Sequence, residues 1–168
     1  KAMLAEARAE ADAELMSGKG PAVIVTASEG WHPGIVGLLA SRLKDKFRRP
    51  AFAIALDPSG KGTGSGRSIS GFDMGRMVRA AVDEGLLVKG GGHAMAAGLT
   101  VERDKLGRLR HFFDEQAGRA VASLVSNEVL KIDGALGASG ATLALIDQLE
   151  SAGPYGAGHP QPVFAVPF

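Results

Sequence analysis

Cysteine is absent from all 168 positions. That absence removes disulfides, thiolate metal sites and thiol nucleophiles together, and it suits a reducing cytoplasm. Aromatic residues make up only 5% of the chain, which leaves Trp31 as the one indole able to stack on a base. No apolar run approaches the ~20 residues that a membrane-spanning helix requires, and residues 1–20 are charged throughout rather than signal-like. Membrane insertion and secretion therefore have no support. No Gly-Lys-Ser/Thr completes a P-loop and no Gly-x-Ser-x-Gly elbow occurs, which excludes the usual nucleoside triphosphate and serine hydrolase designs. The four histidines, His32, His93, His111 and His159, lie far apart. His111 and Asp114 share a helical spacing, but a solvated helix face explains them. A catalytic metal cluster within this chain is not expected, and neither is hydrolysis by this chain alone.

What is present is a chain long enough for one domain and part of another. The formal charge is +1, yet residues 21–120 hold 15 Lys+Arg against 10 Asp+Glu, so the middle is basic. A surplus this small suits an ordinary mixed surface as well as a nucleic-acid partner. Residues 1–16 are rich in Ala, Glu and Arg and read as the tail of a helix continuing from an upstream segment. A short β-branched run over 22–27 reads as a buried strand, and 33–47 as a helix with Pro33 in its first turn. Residues 51–56 read as a second strand, followed by a glycine-rich loop over 60–71. Residues 74–82 read as a helix and 86–89 as extended chain. Gly90, Gly91 and Gly92 are expected to turn the chain into a short helix from His93, before a strand over 98–101 and a long helix over about 104–124. Beyond Ser126 the composition changes, with a strand expected over 129–133 and a helix over 142–151.

Three segments carry candidate chemistry. In Gly64-Ser65-Gly66-Arg67-Ser68, glycines permit close backbone approach, Ser65 and Ser68 can donate, and Arg67 offers a fork suited to phosphate oxygens. An ordinary Gly/Ser surface turn is the competing reading. In Gly91-Gly92-His93, a glycine run entering a helix would aim backbone N–H groups at an anion, with His93 as a further donor; a capping histidine is the alternative. In Trp31-His32-Pro33-Gly34, Trp31 can stack on a base or plug a seam between domains, and His32 has both a loop and a ligand reading.

Taken in order, these segments resemble the DHHA1 substrate-binding domain, in its RecJ form. Trp31-His32-Pro33-Gly34-Ile35-Val36-Gly37, Ser41-Arg42-Leu43 and Arg49-Pro50 are similar to the opening block. Gly64-Ser65-Gly66-Arg67-Ser68 and Gly91-Gly92-His93-Ala94-Met95-Ala96-Ala97-Gly98 are similar to the two later motifs. Ile132-Asp133-Gly134 and the run from Gly153 to Pro162 resemble the start of the OB-like domain that follows, with His159 and Gln161 where the family usually has Asn and Glu. The resemblance implies an α/β fold, a mixed sheet flanked by helices, with a connector helix over 1–20, the DHHA1 domain over 21–122 and a partial OB-like segment over 123–168.

The same resemblance implies a full-length enzyme that degrades single-stranded DNA from its 5′ end, in repair and recombination. Its Mn2+ or Mg2+ would be bound by an amino-terminal DHH domain, since no Asp-His-His occurs here, and none is expected in this segment. Single-stranded DNA and the enzyme's own DHH domain are the implied partners. Ser65, Gly66, Arg67 and Ser68 would hold the strand, with Gly91, Gly92 and His93 facing the scissile phosphate. Arg42, Arg76 and Arg79 would line the path, although an exposed solubilising face explains Arg76 and Arg79 equally well. Competing functions are an oligonucleotide or cyclic-dinucleotide phosphodiesterase of the DHH class and a non-catalytic nucleic-acid-binding module.

Overall fold

A computed structural model describes residues 2–16, 20–126, 131–156 and 159–166. They fall into two compact units, Lys1–Asn127 and Glu128–Phe168. The first begins with helix α1 (Ala2–Met16) and strand β1 (Ile24–Ser28); a 3₁₀ turn (Pro33–Ile35) then runs into α2 (Val36–Phe47). Next come β2 (Ala51–Leu56), β3 (Lys61–Arg67), α3 (Met74–Asp83), β4 (Lys89–His93), β5 (Ala96–Glu102) and α4 (Leu106–Ser126), which carries the unit past residue 122. The strands form one sheet in the order β1-β2-β3-β5-β4. β1 and β2 are parallel, joined through α2 as a parallel pair requires, and the other pairs are antiparallel. The expected α/β class, a mixed sheet flanked by helices, is borne out.

Alternation along β2 sorts the core into two layers. Ala51, Ala53 and Ala55 face α2 and α1, packing with Leu39, Leu43, Ala7 and Ala11. Phe52 and Ile54 face α3 and α4, packing with Met74, Val78, Leu109 and Phe113. The Phe52 and Phe113 rings stack at 5.1 Å. Alanines on one side let helices lie close, while large side chains fill the wider space on the other. Each fully buried large residue contributes ~1.5–3 kcal/mol.

Residues 61–67 are a central strand rather than the expected loop. Gly62, Gly64 and Gly66 fall on the α3/α4 side, where the neighbours are too large to admit side chains. A Cβ on Gly66 would stand 2.4 Å from the Phe52 ring and 2.6 Å from the Met74 sulfur; on Gly64, 2.8 Å from Leu99 and 2.9 Å from Ile54. Residues 90–92 are likewise not a turn opening a helix. They form the interior of β4, and Ala94-Met95 closes a hairpin into β5. The expected helix from His93, and with it the helix-terminus anion pocket, is overturned. Glycine here serves contact: a Cβ on Gly92 would meet the Ala96 carbonyl oxygen at 2.3 Å, and one on Gly75 of α3 would meet the Gly92 oxygen at 2.8 Å. Strand pairing and direct packing of α3 on β4 satisfy this backbone better than a short helix would.

Helix α1 lies against this sheet. Ala7 and Ala11 are fully buried, with Leu4 and Leu15 partly so. Glutamates at four-residue spacing line its docked edge. Glu6 accepts from Trp31 Nε1 (3.0 Å), Glu10 from Ala27 N (3.3 Å) and Arg110 Nη2 (2.8 Å), and Glu14 lies 3.6 Å from Arg110 Nε. Burial holds the Glu10 and Glu14 carboxyls above the ordinary glutamate range, with Arg110 pulling the other way.

In the second unit, β6 (Gly134–Ala135) pairs in parallel with β7 (Phe164–Ala165), and α5 (Leu143–Ser151) is capped by the Thr142 hydroxyl accepting from Leu145 N. Of the strand expected over 129–133, Val129 and Leu130 lie outside the described residues, and residues 131–133 are not strand. Asp133 is nonetheless fixed beside Val163 by two hydrogen bonds of 2.8 and 2.9 Å. The Tyr155 hydroxyl donates to the Leu149 carbonyl, and the His159 ring stacks on Tyr155 at 5.0 Å. Among the described residues no helix is long and apolar enough to cross a membrane.

Candidate nucleic-acid interface

The pairing register assembles a site that separate sequence motifs leave apart. Arg67 of β3 pairs with Ala96 of β5, and Ala96 pairs in turn with His93 of β4. The adjacent row on the same face is Ser65, Gly98 and Gly91. Strands stand ~4.8 Å apart, so the Arg67 and His93 backbones are ~10 Å apart on one side of the sheet. α2 covers β2 and reaches β3, whereas Gly98 and His93 are exposed. A Cβ on Gly98 would meet nothing nearer than 3.9 Å, and one on Gly91 nothing within 4 Å. The two glycines form a bare floor in the row beside the one that runs from the arginine through Ala96 to the histidine.

Arg67 is held by neutral groups. Its Nη1 donates to Ser65 Oγ (2.9 Å) and to the Gly66 carbonyl (2.8 Å). Both Nη1 hydrogens are used, and the three N–H groups on Nη2 and Nε find no acceptor among the described residues. No carboxylate pairs with it there either. A half-buried guanidinium, fixed in place and without a counterion, is a preorganised receptor for an oxyanion. His93 Nδ1 accepts from Met95 N (3.3 Å), which favours the tautomer with a proton on Nε2, free to donate outward.

The hairpin tip is tied to the chain after β3. Ser68 N–H donates to the Met95 carbonyl (2.9 Å), and Met74 N–H donates to the Ala94 carbonyl (3.1 Å). These bonds fix the reach from Arg67 to His93. Ser68 itself is only 1% exposed, and its hydroxyl donates to the Phe72 carbonyl at 2.8 Å, so it braces this connection rather than pointing outward. Gly66 and Gly92 lie on the opposite, core-facing side of the sheet.

The remaining sequence candidates lie elsewhere. Trp31 is 4% exposed and packs with α1, which makes it a seam residue rather than a stacking platform. His32 caps the 3₁₀ turn, its Nδ1 accepting from Gly34 N at 3.0 Å. Arg42 is exposed on α2. Arg79 reaches from α3 to the Gly92 carbonyl (3.3 Å) at the outer strand, and Arg76 is exposed three residues before it. Three residues that the sequence motifs contain, but to which no role at the site was given, lie at it: Ala96 and Gly98 on its floor and Gly37 of α2 beside the guanidinium. A signal for the strand was available, because Lys61, Thr63, Ser65 and Arg67 alternate strictly with glycine, the two-residue period of a strand. Among the described residues no group of three or more His, Asp or Glu could hold a metal ion. The ligand set here suits an anion.

Residues 20–119 match the DHHA1 domain, and residues 132–168 match the RecJ OB domain. The single-stranded-DNA-specific exonuclease RecJ of Escherichia coli (strain K12) is 43% identical over 144 residues, covering 80% of this chain and 24% of that protein. Its counterpart in Bacillus subtilis (strain 168) is 35% identical over 140 residues, covering 83% of this chain and 18% of that protein. The crystal structure of RecJ in complex with Mg2+ from Thermus thermophilus matches with a TM-score of 0.71 at 26% identity, over 94% of this chain and 24% of that one. The chain thus spans about a quarter of the length of curated relatives it matches. With a DHHA1 match over more than half its length and a RecJ OB match behind it, the chain belongs to the DHHA1 domain family in its RecJ form.

Proposed function

We propose that this chain is the substrate-gripping part of a RecJ-like exonuclease that hydrolyses single-stranded DNA from its 5′ end in the cytoplasm. The observation that carries the reading is the Arg67 guanidinium, without a carboxylate partner among the described residues, sharing one open sheet face with His93 beside a glycine floor. Arg67 and Ser65 grip a backbone phosphate, and His93 donates to the same or the next phosphate. Gly91 and Gly98 let the strand lie against the sheet. Gly66, Ser68 and Gly92 keep the frame in register, and Arg42, Arg76 and Arg79 are outlying contacts for the strand.

The work of these residues is to hold a phosphodiester in a fixed orientation, which lowers the barrier by positioning. Mn2+ or Mg2+, held by a DHH domain in the remainder of the full-length protein, would supply the activated water. The domain limits are then a connector over 1–20, the gripping domain from 21 to the end of α4 and the OB-like segment beyond.

The test is single-strand degradation by the full-length protein with Mn2+. Arg67→Ala removes charge-assisted bonds of ~1.5–3 kcal/mol, so strand affinity should fall by roughly one to two orders of magnitude with the fold intact. Normal binding and degradation by that variant would refute the assignment.

A further inference from the structure

The backbone at Gly37 does not require a glycine. The residue sits in the first turn of α2 with no positive φ, where alanine would be the better helix former. What the missing side chain provides is room. A Cβ on Gly37 would stand 3.1 Å from Arg67 Nη2, 3.4 Å from Ser65 Oγ and 3.8 Å from Arg67 Cζ. The guanidinium therefore lies against bare helix backbone, with Nη1 turned to Ser65 and Gly66.

We infer that Gly37 is a positioning residue: its notch in α2 seats the Arg67 guanidinium so that Nη2 and Nε are presented to a strand phosphate over the Gly98–Gly91 floor. Any side chain at this position presses on Nη2, one of the groups left to bind the anion, and shifts the fork away from Ser65. The inference rests on the reading that Arg67 grips the strand. It adds that α2, which supplies no hydrogen bond to Arg67, sets where that fork points.

The experiment uses the full-length protein with a chelator, a fluorescent oligodeoxythymidine and anisotropy titrations at several salt concentrations, beside thermal unfolding. Gly37→Ala should weaken binding by up to about tenfold and Gly37→Leu by as much as Arg67→Ala, roughly ten- to a hundredfold, since the most that either can remove is the charge-assisted bonds of that guanidinium. The salt dependence should flatten by about one phosphate contact, as for Arg67→Ala. The melting temperature of Gly37→Ala should stay level or rise. In the Arg67→Ala background, Gly37→Ala should add no further loss. Unchanged binding by both Gly37 variants, a full additive loss in the Arg67→Ala background, or a loss that tracks a lowered melting temperature would each overturn the inference. If Arg67→Ala itself binds normally, the underlying reading fails and takes this one with it; if Arg67→Ala is impaired and the Gly37 variants are not, this inference alone fails.

Discussion

Arg67 and His93 pair with opposite sides of Ala96, so one short residue spans the gap between the guanidinium-bearing and the imidazole-bearing strand. No flexible loop intervenes. Their separation is set by strand spacing, and strand spacing is among the least adjustable lengths in a protein. The relationship makes the site sensitive to what rises from the floor beside them.

Gly98→Val should leave unfolding unchanged within ~0.5 kcal/mol, because a Cβ there meets nothing closer than 3.9 Å, and it should block strand binding by the full-length protein. Gly66→Ala should do the reverse at the level of stability. Its methyl would overlap Phe52 and Met74, costing ~1–3 kcal/mol or more. Denaturant titrations beside binding isotherms separate the two, and a Gly98→Val protein that binds normally would show that the floor is not used.

Ser68→Ala should weaken the frame rather than remove a ligand contact. The hydroxyl is buried against the Phe72 carbonyl, so its loss leaves that acceptor unsatisfied at ~1–3 kcal/mol. Binding measured well below the melting temperature should stay within a few-fold of wild type. A binding defect as large as that of Arg67→Ala, with stability unchanged, would instead make Ser68 a strand contact.

Trp31 offers an optical reading of α1 docking, since it is the one tryptophan in the chain and is almost fully buried beneath that helix. Ala11→Arg forces a long charged side chain into a site with no exposure, so α1 should lift and the emission of Trp31 should shift to the red. Trp31→Ala should cost ~3–5 kcal/mol. Unchanged emission in Ala11→Arg would show that α1 does not cover the indole.

The carboxylates predict opposite pH trends. Glu10 and Glu14 keep their protons to higher pH when folded, so the native state binds more protons above the ordinary value of 4.5. Wild-type stability, relative to a Glu10→Gln/Glu14→Gln variant, should therefore fall as pH rises from 4.5 through the raised folded values. Asp57 is held below its ordinary 3.8, mainly by the Ser59 hydroxyl and also by the Lys61 N–H. Its contribution is present above 3.8 and is lost as pH falls through the folded value, a trend that Asp57→Asn should remove. Urea titrations from about pH 3 to 7 check both, and slopes of the opposite sign would contradict the burial and hydrogen bonding described.

By itself the sequence determined the helices and the apolar strands, because periodicity and propensity are local properties: α2, α3 and α4 lie close to where apolar spacing puts them. It also determined which polar residues were worth watching, through three motifs in family order. Only the tertiary structure decided the state of the glycine segments. Glycine has little preference of its own, so whether Gly64-Ser65-Gly66 and Gly90-Gly91-Gly92 turn or extend depends on partners distant in the chain, here Phe52, Met74, Leu99 and the edge of β5. The placing of His93 on the same sheet face as Arg67, and of Gly37 beside the guanidinium, was likewise a matter of register and helix placement, and no local spacing in the chain encodes it.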